Sequence, residues 1–463
     1  MTDTDTDYRA FLDRKTHLGN QSGFAPVFMP DFLFPFQRAL ITWAIEKGRA
    51  AIFADCGLGK TPMQLVWAQN VVEKTGKPVL ILTPLSVGAQ TIREAEKFGI
   101  EAKQSRDGTI AAPITVTNYQ QLHKFDWQQF GGVVCDESSI LKNFDGAIKG
   151  QVTDFMRKLP YRLLCTATAA PNDYIELGTS SEALGELGYM DMLSRFFKNG
   201  TNSLHPSIAK DKKQHEMAKW RFRGHAEQDF WRWVCSWSRA VRRPSDLGFD
   251  DGSFRLPDLR IRQHMVRADS PREGFLFSLP AVGLAEQRSD LRRTIGQRCE
   301  MVSQICNSHN LPAVAWCNLN EEGNRLAKEI KGAVQVTGSD SEEHKEETFN
   351  GFVKGDIRVL VTKPVIGGFG LNLQHCAHQT FFPSHSYEQY YQAVRRCWRF
   401  GQKNPVIVDI ITTDGQENVM ANLQRKSDAA HIMFDNLVGM MWNELKIQKR
   451  NDYIQKEKVP TWL

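Results

Sequence analysis

A short apolar run, a glycine-rich loop and a helical segment follow one another at residues 50–68, and this order constrains the fold more than any other feature. The loop contains Gly57 and Gly59 and leads directly into Lys60 and Thr61. Glycines let backbone N–H groups approach a polyphosphate closely, and the positive end of the following helix points at the same anion. The order therefore predicts a phosphate-binding loop, in which Lys60 reaches the β- and γ-phosphates of ATP and the Thr61 hydroxyl ligates Mg²⁺. A glycine-rich turn followed by Lys-Thr by chance is the alternative, and the flanking strand and helix argue against it.

Strand-like apolar runs alternate with helical stretches along most of the chain. Alternation of this kind predicts parallel β-sheets covered by helices on both faces, which is an α/β fold class. The chain has 463 residues, too many for one ordinary core, and a second alternating segment without a phosphate loop begins near residue 285. The expected organisation is a flexible leader (1–25), an ATP-binding domain (26–262) with a basic insert (180–260), a linker (263–284), a second domain (285–440) and a tail (441–463).

Composition narrows the class of protein. No apolar run approaches the roughly 18 residues of a membrane span, and the acidic N-terminal stretch is unlike a secretory signal. The nine cysteines are scattered without a CxxC pair, so a zinc site and a disulfide framework are not supported and a reducing cytoplasm is expected. The formal net charge is +5, yet residues 194–243 alone hold twelve Lys and Arg against four Asp and Glu. This basic region is therefore the candidate for additional nucleic-acid contact.

Two acidic residues are expected to lie near the phosphate loop. Asp136 and Glu137 come directly after the apolar run 131–135, and ligands of parallel sheets bind at the carboxyl ends of the strands. We expect Asp136 to hold Mg²⁺ and Glu137 to orient and deprotonate the attacking water. Thr166 and Thr168 follow the next strand-like run and could couple hydrolysis to the other side of the cleft. The alternatives are a solvated acidic loop and threonines that only suit a strand end.

The basic region combines arginines with aromatic side chains. Phe230, Val234, Trp237 and Val241 have the spacing of one helix face, which favours an amphipathic helix packed on a core. We expect the arginines of this region to contact nucleic-acid phosphates. The alternative is a basic face that is only solvated. The candidate phosphate contacts are Arg221, Arg223, Arg232, Arg239, Arg242 and Arg243.

A second arginine cluster lies near the end of the second alternating segment. Arg396 and Arg399 are three residues apart, so on a helix they would share a face. Two guanidinium groups on one face suit a γ-phosphate whose charge grows during transfer, which is the arginine-finger role. A solvated basic helix is the alternative when the cluster is taken alone.

Seven stretches resemble, in their order and spacing, the motifs of superfamily 2 helicases. The resemblance is closest to the Swi/Snf-type DNA translocases, and within them to phage- and prophage-borne DEAD/DEAH-like members. It covers about residues 30–415, and the Gly-Gln ending of the last stretch is part of it. In chain order the stretches are ADCGLGKT, LTPLS, VTNYQQL, DESSILKN, CTATAAPND, VLVTKPVIGGFGLNLQ and QAVRRCWRFGQ.

The resemblance implies two tandem RecA-like parallel-sheet domains with a basic, Trp-rich helical insert, facing each other across a cleft. For the nucleotide it implies Gln37 (at the adenine), Gly57, Gly59, Lys60, Thr61, Gly370 and Gln392. For Mg²⁺ it implies Thr61 and Asp136, and for catalysis Lys60, Asp136, Glu137, Arg396 and Arg399. For nucleic acid it implies Thr83, Pro84, Thr117 and Asn372, beside the arginines Arg221, Arg223, Arg242 and Arg243.

Two positions depart from the pattern of the family. Ser139 stands where the acidic box ends in His or Asp, so its link to the following motif could be rearranged. Arg395 stands where the last motif often has Gly or Asp. The chain also lacks the large accessory insertions of chromatin remodellers, which argues against nucleosome remodelling.

These features together predict an ATPase that nucleic acid stimulates and that translocates on double-stranded or forked DNA, with ATP and Mg²⁺ as cofactors. The expected location is the cytoplasm of a bacterial host, without a membrane partner. One alternative is a helicase of RNA or single strands on the same fold. Another is an ATP switch that recruits a partner nuclease or methylase. A catalytically inactive binding module is disfavoured, because Lys60, Asp136, Glu137 and Arg399 are all present.

Overall fold

A computed structural model describes residues 22–85, 87–142, 146–199, 220–267, 284–367, 372–413 and 416–456. The chain divides into two compact units. The first unit contains the residues up to 55, residues 59–250 and the residues from 430 onward, and the second contains residues 56–58 and 251–429. The expected domain boundary at 262 thus falls inside the second unit, and residues 430–440, which were expected in the second domain, belong to the first.

Parallel strands form the centre of the first unit. The strands are β1 (Arg49–Ala54), β2 (Val79–Thr83), β3 (Ala102–Gln104), β4 (Ile114–Asn118), β5 (Gly132–Asp136), β6 (Tyr161–Cys165), β7 (Phe197–Asn199), β8 (Trp220–Phe222) and β9 (Ser238–Val241). Seven of them form one sheet in the order β3-β4-β2-β5-β6-β1-β9, in which all neighbours are parallel, while β7 and β8 form an antiparallel pair. Strands β2 and β5 are buried along their whole length, because helices cover both faces of a parallel sheet.

Helices connect these strands, as the alternation of apolar patterns predicts. They are α1 (Pro35–Lys47), α2 (Lys60–Thr75), α3 (Gly88–Lys97), α4 (Ala147–Arg157), α5 (Leu177–Leu184), α6 (Tyr189–Phe196) and α7 (Ala226–Trp237). Short 3₁₀ helices follow several strand ends, among them Tyr119–Lys124 after β4 and Ser138–Lys142 after β5. Candidate site residues of the first unit lie at or shortly after the carboxyl ends of its strands, namely β1, β2, β4, β5 and β6.

The predicted helix face from Phe230 to Val241 is only partly correct. Helix α7 ends at Trp237, and Ser238 takes an extended conformation (φ −131°, ψ 157°). Residues Ser238–Val241 then pair with β1 as the edge strand β9, so Val241 lies in the sheet. A single helical period cannot anticipate this change, because the strand is selected by pairing with a segment far away in the chain.

The aromatic residues of α7 do pack on a core, as predicted. Phe230, Trp231 and Trp237 are almost fully buried, and the rings of Trp233 and Trp237 meet at 5.6 Å between centroids. The same core includes residues of a C-terminal helix, namely Met433, Phe434, Leu437 and Met441. This contact explains why the residues from 430 onward belong to the first unit.

The second unit has a parallel sheet of its own. Its strands are β10 (Leu259–Val266), β11 (Ala313–Trp316), β12 (Ala333–Val336), β13 (Val359–Thr362), β14 (His378–Phe381) and β15 (Val406–Thr413), in the order β10-β15-β14-β11-β13-β12. Its helices are α8 (Leu284–Arg293), α9 (Ile295–Asn307), α10 (Asn320–Glu329), α11 (Glu342–Lys354), α12 (Pro364–Gly367), α13 (Tyr387–Cys397) and the first part of α14 (Glu417–Lys456). The expected linker at 263–284 begins inside β10, because that strand pairs with β15 over its full length.

The predicted fold class is confirmed: the chain carries two parallel-sheet α/β units in tandem, of the RecA-like type. None of the nine cysteines, all of which lie in the described part of the chain, forms a disulfide. Among the helices that the structure describes, none is long and apolar enough to span a membrane.

Candidate nucleotide site and nucleic-acid surface

The glycine loop has the backbone geometry that close approach to an anion requires. Gly57 and Gly59 have φ values of 88° and 75°, a region that other residues rarely adopt. Helix α2 begins at Lys60, directly after Gly59. A Cβ atom at Gly59 would lie 2.3 Å from Nε2 of Gln37, so this glycine also makes room for the predicted adenine-contacting side chain. The Gln37 side chain is itself oriented by its Oε1 atom, which accepts a hydrogen bond from the Phe34 N–H at 3.0 Å.

Lys60 and Thr61 occupy the first turn of α2, where backbone N–H groups have no partner within the helix. The Lys60 ammonium donates to the Ala54 carbonyl at 3.1 Å, which holds it at the carboxyl end of β1. The two predicted phosphate and Mg²⁺ ligands are thus placed by one strand end and one helix start.

Asp136 is the last residue of β5 and is buried. Its Oδ1 accepts a hydrogen bond from Gln64 Nε2 at 2.6 Å. Burial raises the pKa of Asp136, while the bond from Gln64 and the charge of Lys60 act in the opposite direction. The sequence interpretation did not include Gln64; its signal was its position three residues after Thr61, on the same face of α2. The Oε1 atom of Gln64 is buried and has no hydrogen-bond partner in the described part of the chain.

Glu137 has an unusual backbone conformation. Its φ is 52°, and no other non-glycine residue within the described ranges has a positive φ. For such a residue the left-handed conformation costs about 1–2 kcal/mol, so it persists only where the surroundings impose it. Thr166 Oγ1 donates to Glu137 Oε2 at 3.2 Å and accepts from the Thr168 N–H at 3.1 Å. The structure therefore brings Glu137 and the two threonines together in the first unit.

The donors present suit Mg²⁺ bound with a nucleotide. Thr61 supplies a hydroxyl oxygen and Asp136 a buried carboxylate, and hard oxygen ligands are what Mg²⁺ prefers. In the described part of the chain no three His, Cys, Asp or Glu side chains are grouped as a metal site. Mg²⁺ at nucleotide sites is usually held by one or two side chains together with phosphate oxygens.

In the second unit, the predicted sharing of one helix face by Arg396 and Arg399 is wrong. Helix α13 ends at Cys397, and Trp398 leaves the helical region (φ −89°, ψ 79°). The Trp398 indole donates to the Pro257 carbonyl at 2.7 Å, which anchors the turn in which Arg399 lies.

Arg396 and Gln392 stay together on α13. Arg396 is buried, and its Nη2 atom donates to Gln392 Oε1 at 2.5 Å. Arg395, the departure from the family pattern, is buried with its guanidinium 4.8 Å from the Trp398 ring centroid. Gly370 lies outside the described residues, and Asn372 is exposed.

The predicted nucleic-acid contacts at the ends of β2 and β4 lie side by side. Thr83 Oγ1 donates to the Thr117 carbonyl at 3.5 Å, and the two strands pair in register. Both threonine side chains are buried and Pro84 is partly exposed. Any contact at this edge would therefore use the backbone, as the resemblance implies.

The arginines of the basic region do not form one common surface. Arg239 is buried, its guanidinium lies 4.3 Å from the Trp43 ring centroid, and it donates to the Cys235 and Ser238 carbonyls, so its predicted role as a phosphate contact is wrong. Arg223 donates to the Phe197 carbonyl at 2.6 Å.

The remaining arginines of this region keep charge at the surface. Arg242 pairs with Asp435 of α14 at 2.6 Å and lies 3.9 Å from Asp246. Arg243 lies 3.6 Å from the same Asp246, and Arg221 is exposed in β8. Residues 200–219, which hold four of the twelve Lys and Arg of this region, lie outside the described residues.

Comparisons with known proteins agree with this architecture. Residues 297–401, which lie in the second unit, match the family model described as the helicase conserved C-terminal domain. The structure of Saccharomyces cerevisiae Dbp5 bound to RNA and ADP-BeF3 is similar in fold, with a TM-score of 0.51 at 12% identity over 88% of this chain and 98% of that one. Protein p41 of Acyrthosiphon pisum secondary endosymbiont phage 1 is 27% identical over 196 residues, which is 35% of this chain and 42% of that protein. The chain thus matches less than half of that relative.

Proposed function

We propose that the protein is an ATP-dependent DNA translocase of the Swi/Snf type, in which duplex DNA stimulates ATP hydrolysis. The observation that carries the proposal is the convergence of Lys60, Thr61, Asp136 and Glu137 at the carboxyl edge of the first unit's sheet. The helicase C-terminal domain at residues 297–401 supports a nucleic-acid-dependent use of that site.

In the proposed reaction, the loop from Gly57 to Thr61 cradles the phosphates of ATP, with Gln37 at the base. Mg²⁺, when bound by Thr61 and Asp136, supplies charge neutralisation to the phosphate oxygens. Glu137 accepts a proton from the attacking water, and the Thr166 hydroxyl holds its carboxylate.

From the second unit we propose that Arg396 and Arg399 act on the charge that develops on the γ-phosphate. Their position in the stretch QAVRRCWRFGQ supports this role, with Arg399 as the finger. Gln392 orients Arg396 through the bond between their side chains. Arg399→Ala should lower kcat by about 10³-fold or more and leave ATP binding largely intact.

We propose that DNA is contacted through its phosphates, by the backbone at Thr83, Pro84 and Thr117 and by Asn372. Among the candidate arginines, Arg221, Arg232 and Arg243 are exposed. Arg223 and Arg242 would first have to leave the partners that they have in the first unit.

The test is steady-state ATPase activity of the full chain with linear duplex DNA, single-stranded DNA and RNA. We expect duplex DNA to stimulate most, and translocation to displace a triplex-forming strand. An ATPase rate that duplex DNA leaves unchanged would falsify the proposal. Lys60→Ala should abolish turnover while sparing DNA binding. Lys74→Ala, an exposed lysine in the last turn of the same helix, serves as the matched control.

A helicase of RNA or single strands is the second candidate. The Dbp5 structure of similar fold was bound to RNA, which motivates testing this candidate, and at 12% identity the similarity supports the fold alone. Stronger stimulation by RNA than by duplex DNA would select this candidate. Slow turnover with DNA binding but no triplex displacement would instead select an ATP switch for a partner nuclease or methylase. For location we propose the cytoplasm of a bacterial host, which the partial match to a phage protein supports.

A further inference from the structure

We infer that Tyr119 is a positioning residue that links the nucleic-acid edge of the first unit to the catalytic Glu137. The inference rests on the proposed function, because it assigns a coupling role between the two sites named there. Tyr119 is the first residue after β4, in the stretch VTNYQQL, and the sequence interpretation gave it no role.

The Tyr119 side chain spans from one strand end to another. It is 1% exposed, and its hydroxyl donates a hydrogen bond of 2.5 Å to the backbone carbonyl of Asp136. Strands β4 and β5 are not neighbours, because β2 lies between them and pairs with both. Tyr119 thus joins the ends of two strands that the sheet itself does not connect directly.

The acceptor of this bond controls the orientation of Glu137. The Asp136 carbonyl and the Glu137 N–H belong to one planar peptide group. A hydrogen bond that holds the carbonyl oxygen therefore fixes the orientation of the peptide group that precedes the Cα atom of Glu137. Glu137 then has a φ of 52°, which a non-glycine residue keeps only under constraint. Thr166 holds the carboxylate of Glu137 from the other side, at 3.2 Å. The catalytic side chain is therefore fixed at its backbone by Tyr119 and at its carboxylate by Thr166.

The other end of Tyr119 is anchored at the proposed DNA edge. Thr117 lies two residues earlier in β4, and its carbonyl accepts the bond from Thr83. Between them, Asn118 ends the strand, and its Oδ1 accepts from the Gln121 N–H at 3.1 Å. A phosphate that contacts the backbone here shifts the residue directly before Tyr119, and the hydroxyl passes that shift to the Asp136–Glu137 peptide.

A purely structural role for Tyr119 makes a different prediction. A hydroxyl that only satisfies a buried carbonyl would, when removed, lower stability and leave the turnover of the folded protein unchanged. A positioning hydroxyl lowers kcat with an unchanged KM for ATP, because Lys60 and Thr61 still bind the phosphates.

The experiment compares Tyr119→Phe with Tyr161→Phe in the full chain. Tyr161 begins β6 in the same sheet, and its hydroxyl makes no hydrogen bond within the described residues. At saturating duplex DNA we expect Tyr119→Phe to lower kcat about tenfold, the effect of one misplaced hydrogen-bonded group. We expect the KM for ATP and the Kd for the duplex to stay within about twofold, and Tyr161→Phe to behave as wild type.

Rescue separates positioning from damage to the fold. Tyr119→4-aminophenylalanine restores an N–H donor at the same place, so the stimulated kcat should recover in large part, even if Tyr119→Phe melts at a lower temperature. Stimulated turnover in Tyr119→Phe equal to that of wild type overturns the inference, as does a failure of the amino variant to recover kcat.

A failure of the proposed function gives a different result. If neither duplex DNA, single-stranded DNA nor RNA stimulates the wild-type chain, the proposed function is wrong, and basal turnover then decides the role of Tyr119. A tenfold lower basal kcat in Tyr119→Phe with an unchanged KM supports positioning of Glu137, whereas an unchanged basal kcat overturns it.

Discussion

A buried carboxylate in the second unit, Asp409, lies in the middle of β15 and organises a cluster of basic side chains. Its side chain is fully buried and accepts two hydrogen bonds from the Arg262 guanidinium, one from His264 Nε2 and one from His378 Nε2, each 2.7 Å long. Burial alone would raise the pKa of Asp409, but the bonds from His378, Arg262 and His264 outweigh it and hold that pKa well below its usual range. Replacing this carboxylate by an amide therefore tests how the sheet of the second unit is stabilised.

The protons around Asp409 form an ordered chain. A carboxylate only accepts, so His378 Nε2 carries a hydrogen and His378 Nδ1 is an acceptor in the neutral ring. His309 Nε2 then donates to His378 Nδ1 at 2.6 Å, and His309 Nδ1 accepts from the Leu311 N–H at 3.2 Å. One set of tautomers satisfies all of these bonds.

Asp409→Asn keeps the shape of the side chain but places an N–H₂ group where an acceptor is needed. If the amide nitrogen faces His378, Nε2 of that ring must become an acceptor and its Nδ1 must carry the hydrogen. His309 must then change its tautomer in the same way, which places an N–H on its Nδ1 atom facing the Leu311 N–H. A lost bond to a charged group costs about 1.5–3 kcal/mol, and a buried donor left unpaired costs about 1–3 kcal/mol. Arg262 is half exposed, so solvent weakens its share. We expect a loss of about 3 kcal/mol in the free energy of unfolding of the second unit.

Hydrogen exchange of the full chain measures this loss directly, because peptides from β14 and β15 report on the second unit and those from β2 and β5 on the first. Asp258→Asn is the matched control, since that exposed aspartate precedes β10 and lies 3.8 Å from Arg260. The pKa of Asp409 is lower in the native state than the unfolded value of about 3.9. The ionised carboxylate therefore stabilises the fold above about pH 4, and this stabilisation is lost as the pH falls further. The part of the difference between wild type and Asp409→Asn that comes from the ionised carboxylate should thus shrink as the pH falls below about 4. A loss under about 1 kcal/mol, or equal protection in both variants, would refute the reasoning.

Three further predictions concern the first unit. Leu437→Ala should lower the free energy of unfolding by about 2–5 kcal/mol in urea titrations, because Leu437 is fully buried. Ile432 is half exposed on the same helix, so Ile432→Ala should change this free energy by no more than about 0.5 kcal/mol. Gly59→Ala should weaken ATP binding in calorimetry far more than Gly76→Ala, because Gly76 shares the positive φ but has open space around it. Equal effects of the two substitutions would exclude the clash with the Gln37 side chain. Burial raises the pKa of Glu176 to about 7, so its ionisation destabilises the fold as the pH rises through about 7. Glu176→Gln should therefore gain about 1–2 kcal/mol over wild type at about pH 8 and little at about pH 5, measured by thermal unfolding at both values.

Local patterns were sufficient to predict much of the fold and which of the candidate side chains lie together in the first unit. The loop at Gly57–Lys60 and the acids at the end of β5 each follow an apolar strand directly, and parallel strands bring their carboxyl ends to one edge. Position in the chain alone thus predicts that Lys60, Asp136 and Thr166 lie near one another. Gln64 was missed because its one sequence signal, a place on the face of α2 that carries Thr61, is weak without the hydrogen bond to Asp136 that the structure shows.

The failures have a common physical cause. Val241 fits a helical period, but pairing with β1 draws it into a strand. Arg399 follows a helical run, but the bond from Trp398 to the Pro257 carbonyl ends the helix before it. In each case a partner distant in the sequence decides the local conformation, and no window of neighbouring residues contains that partner.

A partner distant in the sequence also decides the surroundings of Arg242, which pairs with Asp435 and is a proposed DNA contact. Its pair with Asp435 forms only because α14 packs on the core of the first unit, and Asp435 is 64% exposed. An exposed pair of this kind contributes at most about 1 kcal/mol, and salt weakens it. A DNA phosphate offers an attraction of similar or greater size together with counterion release. The ion pair therefore does not exclude Arg242 from DNA contact, whereas burial against Trp43 does exclude Arg239, whose guanidinium could reach a phosphate only if the core around it opened.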